Sequence, residues 1–521
     1  MKKMTLKMRL MGGIVAFSML LGGCAQGFDS DERFTNGVSN AQLEAPVLTA
    51  ESFSLVLAAD GSEAIQVKWP VVMGAGGYRV SVDKVAVMEN GSLVSIDPIA
   101  VPLQGDQTVV EIDACQVTFP CEYGYQYAVT VQAMANKKLG NSESPLGEPA
   151  RYLYYTVPTP IPAGADLAEA IVIDEENPTS RAIYVLEPGA HYTCSQEIDF
   201  QRHNVQMYPA DYDAANNVYN ISPVRARITF DYDGVIKTSA GLQLKNIDFD
   251  CEAMKAQGVI MCSDQIDASL AEPVKNQCYV IKDPIIMENC RFRMVKQCLF
   301  FTGACSVSPT DIRLINSMVQ LDNDGTKFGN AAVFCTYSST GYYVGGTTAW
   351  RNGIRNLTVK NSTLWNIKKN SKNRMVRFTH NNFGNYFETK DGSATFENCT
   401  MIQIMTDKEF GNNTPNDKQY VITFNNNVVR DCYRLQKFIQ GNNTKNIDVA
   451  TNALCKSVMP DMDSTDKTRC GTEESFTFDA AMMDETGLVN AILDLDKEDG
   501  GVNFKAIGGT IAPTVGDPRW L

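Results

Sequence analysis

The residues best equipped for chemistry gather in one stretch of this 521-residue chain. Between Asp324 and Glu388 there is no acidic side chain, while Lys327, Arg351, Arg355, Lys360, Lys368, Lys369, Lys372, Arg374 and Arg377 supply nine positive charges. On a chain whose formal net charge is −14, such segregation creates a local positive field that favours an anionic ligand while the acidic remainder keeps the molecule soluble. Arg351, Arg355, Lys372, Arg374 and Arg377 are the expected cationic contacts, because guanidinium forks and ammonium groups pair with carboxylates. Tyr342, Tyr343 and Trp350 lie in the same stretch and offer aromatic faces on which sugar rings can stack. Trp365, by contrast, sits beside a repeat and reads as core. Arg374 and Arg377 are also the candidates for a base that removes a proton next to a carboxylate, with lysine neighbours stabilising the enolate.

Other signatures are weaker. His191, His203 and His380 are too scattered to suggest a metal triad, and each reads as a surface or hydrogen-bonded residue; HExxH is absent. Asp322-Asn323-Asp324-Gly325 opens like a calcium loop, but the glycine comes early and Val333 stands where the closing glutamate belongs, so a plain turn is the better reading. No cofactor is identified, and calcium has no supporting motif. Gly74-Ala75-Gly76-Gly77 lacks the third glycine of a nucleotide loop and leads into a strand, which makes it a turn. No G-x-S-x-G or P-loop occurs. A soluble nucleic-acid binder is excluded by the acidic balance, and disorder by the 44% hydrophobic fraction.

The first residues set the compartment. Lys2, Lys3, Lys7 and Arg9 form a basic n-region ahead of the apolar run Ile14 to Leu21, which is too short to span a bilayer. Leu21-Gly22-Gly23-Cys24 resembles the bacterial lipobox, whose cysteine is acylated and becomes the first mature residue. Removal of residues 1–23 takes four basic side chains and no acidic one, moving the net charge from −14 to −18. Asp29, Asp31 and Glu32, in the tether 24–43, resemble the export tag of lipoproteins sent to the cell surface in Bacteroidota-type bacteria. Of the fifteen cysteines, one is the lipid site. Cys115 and Cys121 are the expected local disulfide, and the absence of CxxC leaves redox and zinc-ribbon readings without support.

Two modules follow. Residues 44–157 alternate apolar and polar side chains in short runs, as in Ile65-Gln66-Val67-Lys68-Trp69, Tyr78 to Val82 and Tyr127 to Ala133, the pattern of an all-β sandwich. With Trp69 as core tryptophan and Tyr127 as corner tyrosine, the module resembles a fibronectin type III domain, which implies a spacer or docking role. Residues 158–165 form a proline-rich linker, and a short helix is expected over 166–171.

From there to the end the chain repeats. Asn246, Asn289, Asn316, Asn361, Asn398 and Asn426 each stand third in a six-residue segment with apolar ends, at separations of 43, 27, 45, 37 and 28 residues. Irregular spacing with few helical patterns between segments suits a stacked solenoid, whose insertions leave as loops. The segments resemble those of a right-handed parallel β-helix of the pectate-lyase-like kind. That implies asparagines bonded from rung to rung and a second column from Cys290, Ser317, Ser362, Cys399 and Asn427. Its cysteines would be fillers or inter-coil pairs and its opening helix an end cap.

The order of lipobox, sandwich and β-helix over 166–521, ending in Gly516-Asp517-Pro518-Arg519-Trp520, resembles lipoproteins of Bacteroidota polysaccharide-utilisation systems. This implies an outer-membrane, lipid-anchored, cell-surface protein that binds an anionic, pectin-like polysaccharide and passes it to glycan-degrading enzymes or an outer-membrane transporter. A polysaccharide lyase acting by β-elimination, and an adhesive envelope protein without a sugar site, are the alternatives. The N-T-D, G-H-G and R-I-K strings of polygalacturonases and the calcium carboxylates of pectate lyases are not recognisable. The expected outcome of a screen of mature protein against plant and host polysaccharides is retardation in glycan gels with no ultraviolet-absorbing unsaturated product; product would mark the lyase, and neither signal the adhesin.

Overall fold

The computed structural model describes residues 39–57, 63–89, 92–175, 180–214, 218–263, 279–303, 307–323, 332–336, 353–368, 374–378, 391–404, 410–412, 419–432, 435, 446–457, 471–511 and 514–521. Cys24 lies outside them, as do Tyr342, Tyr343, Trp350, Arg351, Lys372 and His380. The chain divides into two compact units, one of residues 1–156 with 213–218 and the other of 157–212 with 219–521.

The first unit is built from two antiparallel sheets. Phe53–Leu57, Glu63–Lys68 and Gln116–Pro120 form one, and the long strand Tyr78–Glu89 organises the other against Ser92–Ala100, Val109–Ile112 and Tyr125–Ala133. Their inward residues share one core, in which Trp69 meets Tyr78 edge-on at 5.5 Å. The Tyr127 hydroxyl accepts from Glu122 N at 2.6 Å and donates to Glu122 O at 3.3 Å, and burial pushes its pKa up to about 12. Gly76 is required by the turn, because a Cβ there would stand 2.5 Å from the Ala135 carbonyl oxygen. The expected Cys115 and Cys121 disulfide is not formed. Neither sulfur is in a disulfide, and Cys115 Sγ donates to the Tyr78 hydroxyl at 3.7 Å.

The second unit is a parallel β-helix. Its coils pass in turn through an eleven-stranded sheet I, a ten-stranded sheet II and a seven-stranded sheet III. One coil runs through Leu242–Lys245, Ile247–Asp250 and Gly258–Cys262, and the next through Ile285–Glu288, Arg291–Val295 and Cys298–Phe301. Alternate residues point inward, so Leu242, Leu244, Phe249 and Ile260 repeat as Ile285, Met287, Phe292 and Phe300 one rung on. Phe230, Phe249 and Phe292 stack with ring centroids 5.9 and 4.8 Å apart.

The coil begins earlier than expected. Thr159–Pro160, within the expected linker, already pairs with Tyr184 and Val185, and proline is tolerated because this is the edge strand. The expected cap helix is the single turn Leu167–Ala170, with the Asp166 carboxylate accepting from Ala168 N at 3.1 Å and Leu167 buried.

The six repeat asparagines align at the corner between sheets I and II. All adopt positive φ, from 49° to 56°, and each backbone N–H donates to a carbonyl one rung later. Asparagine tolerates this left-handed conformation where a β-branched residue does so rarely. Asn289 Nδ2 donates to Asn246 Oδ1 at 2.6 Å, and Asn398 Nδ2 to Asn361 Oδ1 at 3.2 Å. The following column forms as expected: Cys290 N donates to Ser317 Oγ, Ser317 N to Ser362 Oγ, and Cys399 N to Asn427 Oδ1, at 3.0–3.1 Å. Cys290 and Cys399 are buried free thiols whose pKa burial raises to about 12, so they are protonated fillers.

The downstream segment 474–521 covers the outer face of sheet II. Phe476, Phe478, Val489, Leu493 and Phe504 pack on Trp365, Ile402 and Val428. A strap over 487–498 crosses the rungs in reverse. Arg430 donates to Gly487 O, Gln403 exchanges two bonds with Val489, Trp365 Nε1 donates to Ala491 O, Gln320 accepts from Leu493 N, and Arg291 donates to Leu495 O. The terminal Gly516 to Trp520 motif is a clasp. Buried Asp517 holds Arg519, whose guanidinium donates to the Asn316, Ser317 and Asn361 carbonyls at 2.8–2.9 Å.

Asn361→Ala is expected to lose about 2 kcal/mol in urea unfolding, from the left-handed backbone and the orphaned Asn398 amide together. Asn361→Gly should lose less, because glycine retains the conformation; equal losses would place the whole effect in the side-chain bond.

Candidate functional site

The described cations of the basic stretch do not gather on one flank. One coil winds through all three sheets, so residues adjacent in sequence are distributed around the circumference. Arg355 and Lys360 bracket the sheet I strand Asn356–Lys360, Lys368 follows the sheet II strand Thr363–Asn366, and Arg374 and Arg377 accompany the sheet III strand Val376–Arg377. Arg355 pairs with Asp391 at 2.8 Å, Lys360 with Glu397 at 2.6 Å and Lys368 with Asp322 at 2.6 Å. Arg374 and Arg377 are both buried. Asp322 takes a second lysine, Lys296, at 2.5 Å, so lysines occupy the carboxylate that the calcium-loop pattern would use. Burial pushes its pKa up, but the two lysines prevail and hold it below the usual carboxylate value.

A better-formed site lies where sheet II meets the strap. His191, Arg227, Asp248 and Arg291 occupy one outward register position on four successive rungs. Neighbouring strands lie ~4.8 Å apart, so the four side chains form an ordered column of charge. The column opens into a cleft of about 580 Å³, walled on one side by Pro223, Val224 and Arg225 and on the other by Leu495 to Glu498. Four cationic and three anionic side chains, with His191, line it.

Asp248 is the fixed anion at its centre. Arg291 grips both carboxylate oxygens, Nε to Oδ1 at 2.7 Å and Nη2 to Oδ2, in a bidentate pair whose side chains are 5% and 6% exposed. Arg291 also donates through Nη1 to Lys497 O at 2.5 Å and through Nη2 to Leu495 O at 3.0 Å, fastening the strap. Arg225 Nε approaches Asp248 Oδ1 at 3.7 Å and donates to Asn289 O at 3.1 Å, which ties the cleft to the asparagine column. Burial lowers the Arg225 pKa from its ordinary value; Asp248 opposes that shift and Arg291 reinforces it.

Arg227 faces the open part of the cleft. Its Nη2 donates to Asp496 Oδ1 at 2.6 Å, while its Nε is buried with no hydrogen-bond partner. A guanidinium held on a sheet strand, whose Nη2 meets a carboxylate that is 80% exposed, suits a planar carboxylate.

The sequence reading missed this group. His191 was expected to be a surface or hydrogen-bonded residue; it is exposed at the edge of the cleft. His203 is buried against Ser180, with Nδ1 3.1 Å from Oγ. The available signal was register. Asp248 and Arg291 each stand two residues after a column asparagine, and so do not merely share a pattern but touch.

A model of DUF4992, described as a domain of unknown function, matches residues 1–193. No curated protein matches the chain. Among solved structures, the pectate lyase Pel3 of Pectobacterium carotovorum aligns at 11% identity over 81% of this chain and 88% of that one, with a TM-score of 0.12.

Arg291→Ala is expected to cost about 3 kcal/mol or more, because it leaves Asp248 charged, buried and without its main partner. Arg227→Ala should melt close to the wild type, since its acidic partner stands in water. Thermal denaturation of the two variants side by side checks both; equal losses would contradict the burial argument.

Proposed function

We propose that this protein is a lipid-anchored, cell-surface protein that binds an anionic, pectin-like polysaccharide, with the arginine cleft as the place where a uronate carboxylate is held. Acylation of Cys24 would fix it to the outer membrane, and its partners would be glycan-degrading enzymes or an outer-membrane transporter. The observation that carries this reading is the column of Arg227, Asp248 and Arg291 on successive rungs of an open cleft. Arg291 and Arg225 hold Asp248, and Arg227, fixed on the same rigid sheet, is the cation presented to a carboxylate at little entropic cost. The basic stretch of residues 325–387 belongs to the same proposal as a source of further contacts, from Arg355 and, outside the described residues, Arg351, Lys372, Tyr342, Tyr343 and Trp350.

The reading is capture. Asp248, the central carboxylate, has both oxygens held by Arg291 with Arg225 beside it, which leaves it poorly placed to exchange a proton with a substrate. Mature protein is expected to be retarded in polygalacturonate affinity gels, and Arg227→Ala to migrate several-fold faster at low salt. Identical mobility of the wild type in gels with and without polygalacturonate would sink the proposal.

A further inference from the structure

The three arginines of the cleft are neutralised to different degrees. Arg291 holds Asp248 in two bonds and carries strap carbonyls on its remaining hydrogens. Arg225 is bound to the Asn289 carbonyl and side chain and lies beside Asp248. Both are parts of the scaffold. Among the described residues, Arg227 makes its charged contact with Asp496 alone, and that carboxylate is 80% exposed.

Apart from its bond to Arg227, Asp496 is placed by its backbone. Its N–H donates to Asp494 Oδ1 at 3.0 Å, and the preceding Leu495 is fixed by its carbonyl to Arg291. The carboxylate therefore hangs from an anchored strap directly over Arg227, in the position that an incoming carboxylate would need. We propose that Asp496 is a tethered surrogate anion, which occupies Arg227 in the unliganded protein and is displaced when a uronate carboxylate enters the cleft. The exchange of one carboxylate for another conserves the charge pairing of Arg227, so the chemical cost of displacement is small. An exposed ion pair is individually weak, which lets a ligand with many carboxylates compete with it. The tether nonetheless keeps the surrogate at high local concentration and discourages isolated small anions.

This inference rests on the proposed binding function, and the test separates the two. Titrate trigalacturonate calorimetrically into the full mature chain as wild type, Asp496→Asn, Arg227→Ala, and the double variant. Glu485→Gln, an exposed charge change elsewhere in the same downstream segment, controls for net charge. The expected result is about two- to fivefold tighter binding by Asp496→Asn, the size of an exposed ion pair, with no gain from Glu485→Gln. The gain should vanish in the Arg227→Ala background. If the wild type binds and Asp496→Asn binds equally or less well, or if Glu485→Gln gains as much, the surrogate is rejected while capture stands. If neither the wild type nor Asp496→Asn binds, capture itself fails and the surrogate falls with it.

Discussion

A β-helix can persist over many coils only if the chain makes the same sharp turn at the same corner on every rung. Here that turn demands a positive φ between sheets I and II, and asparagine supplies it six times. The requirement is local, yet its effects are global. A residue that resists the left-handed region would displace one strand relative to the next, and the inward column of Phe230, Phe249 and Phe292 would lose its stacking. The same corner fixes the outward register of Asp248 and Arg291, each two residues after a column asparagine, while Arg227 is set beside Asp248 by the pairing of its strand with Ile247–Asp250.

Parts of this architecture were legible in the residues alone. The asparagine column was, because its residue type answers a backbone need that few others meet. The rung after Asn426 was not: Thr451 adopts φ 54° there, followed by Asn452, and threonine carries no such signal. Thr159–Pro160 looked like a stiff linker because proline and threonine say nothing about pairing partners twenty-five residues away. The contiguous basic stretch suggested a charged flank, but a coil spends its residues on three faces in succession. What decides proximity in a solenoid is phase, counted from each corner. By that count Asp248 and Arg291 are neighbours, although 43 residues separate them.

The downstream segment was the least legible part. Its residues 474–521 contain few regular elements, and their meaning lies in what they cover. Sheet II carries Trp365, Ile402 and Val428 on its outer side, which would otherwise face water. Side chains of the sheet reach outward to bind the strap's backbone, so the strap needs no strand partner to satisfy its carbonyls. This arrangement makes one wall of the cleft from a segment that belongs to no sheet, facing the connection Pro223 to Arg225 that leads into the sheet II strand Ala226–Phe230.

The thiols of the molecule carry a further consequence. None of the eleven described cysteines is in a disulfide and ten of them are buried, so the folded structure is the barrier to their oxidation. Loss of tertiary structure in an oxidising solvent would bring many sulfurs within reach of one another, in numerous non-native pairings that cannot be accommodated in the wound chain. Denaturation under those conditions is then a one-way process, and endurance outside a reducing environment is governed by the rate at which coils open rather than by the equilibrium between open and closed.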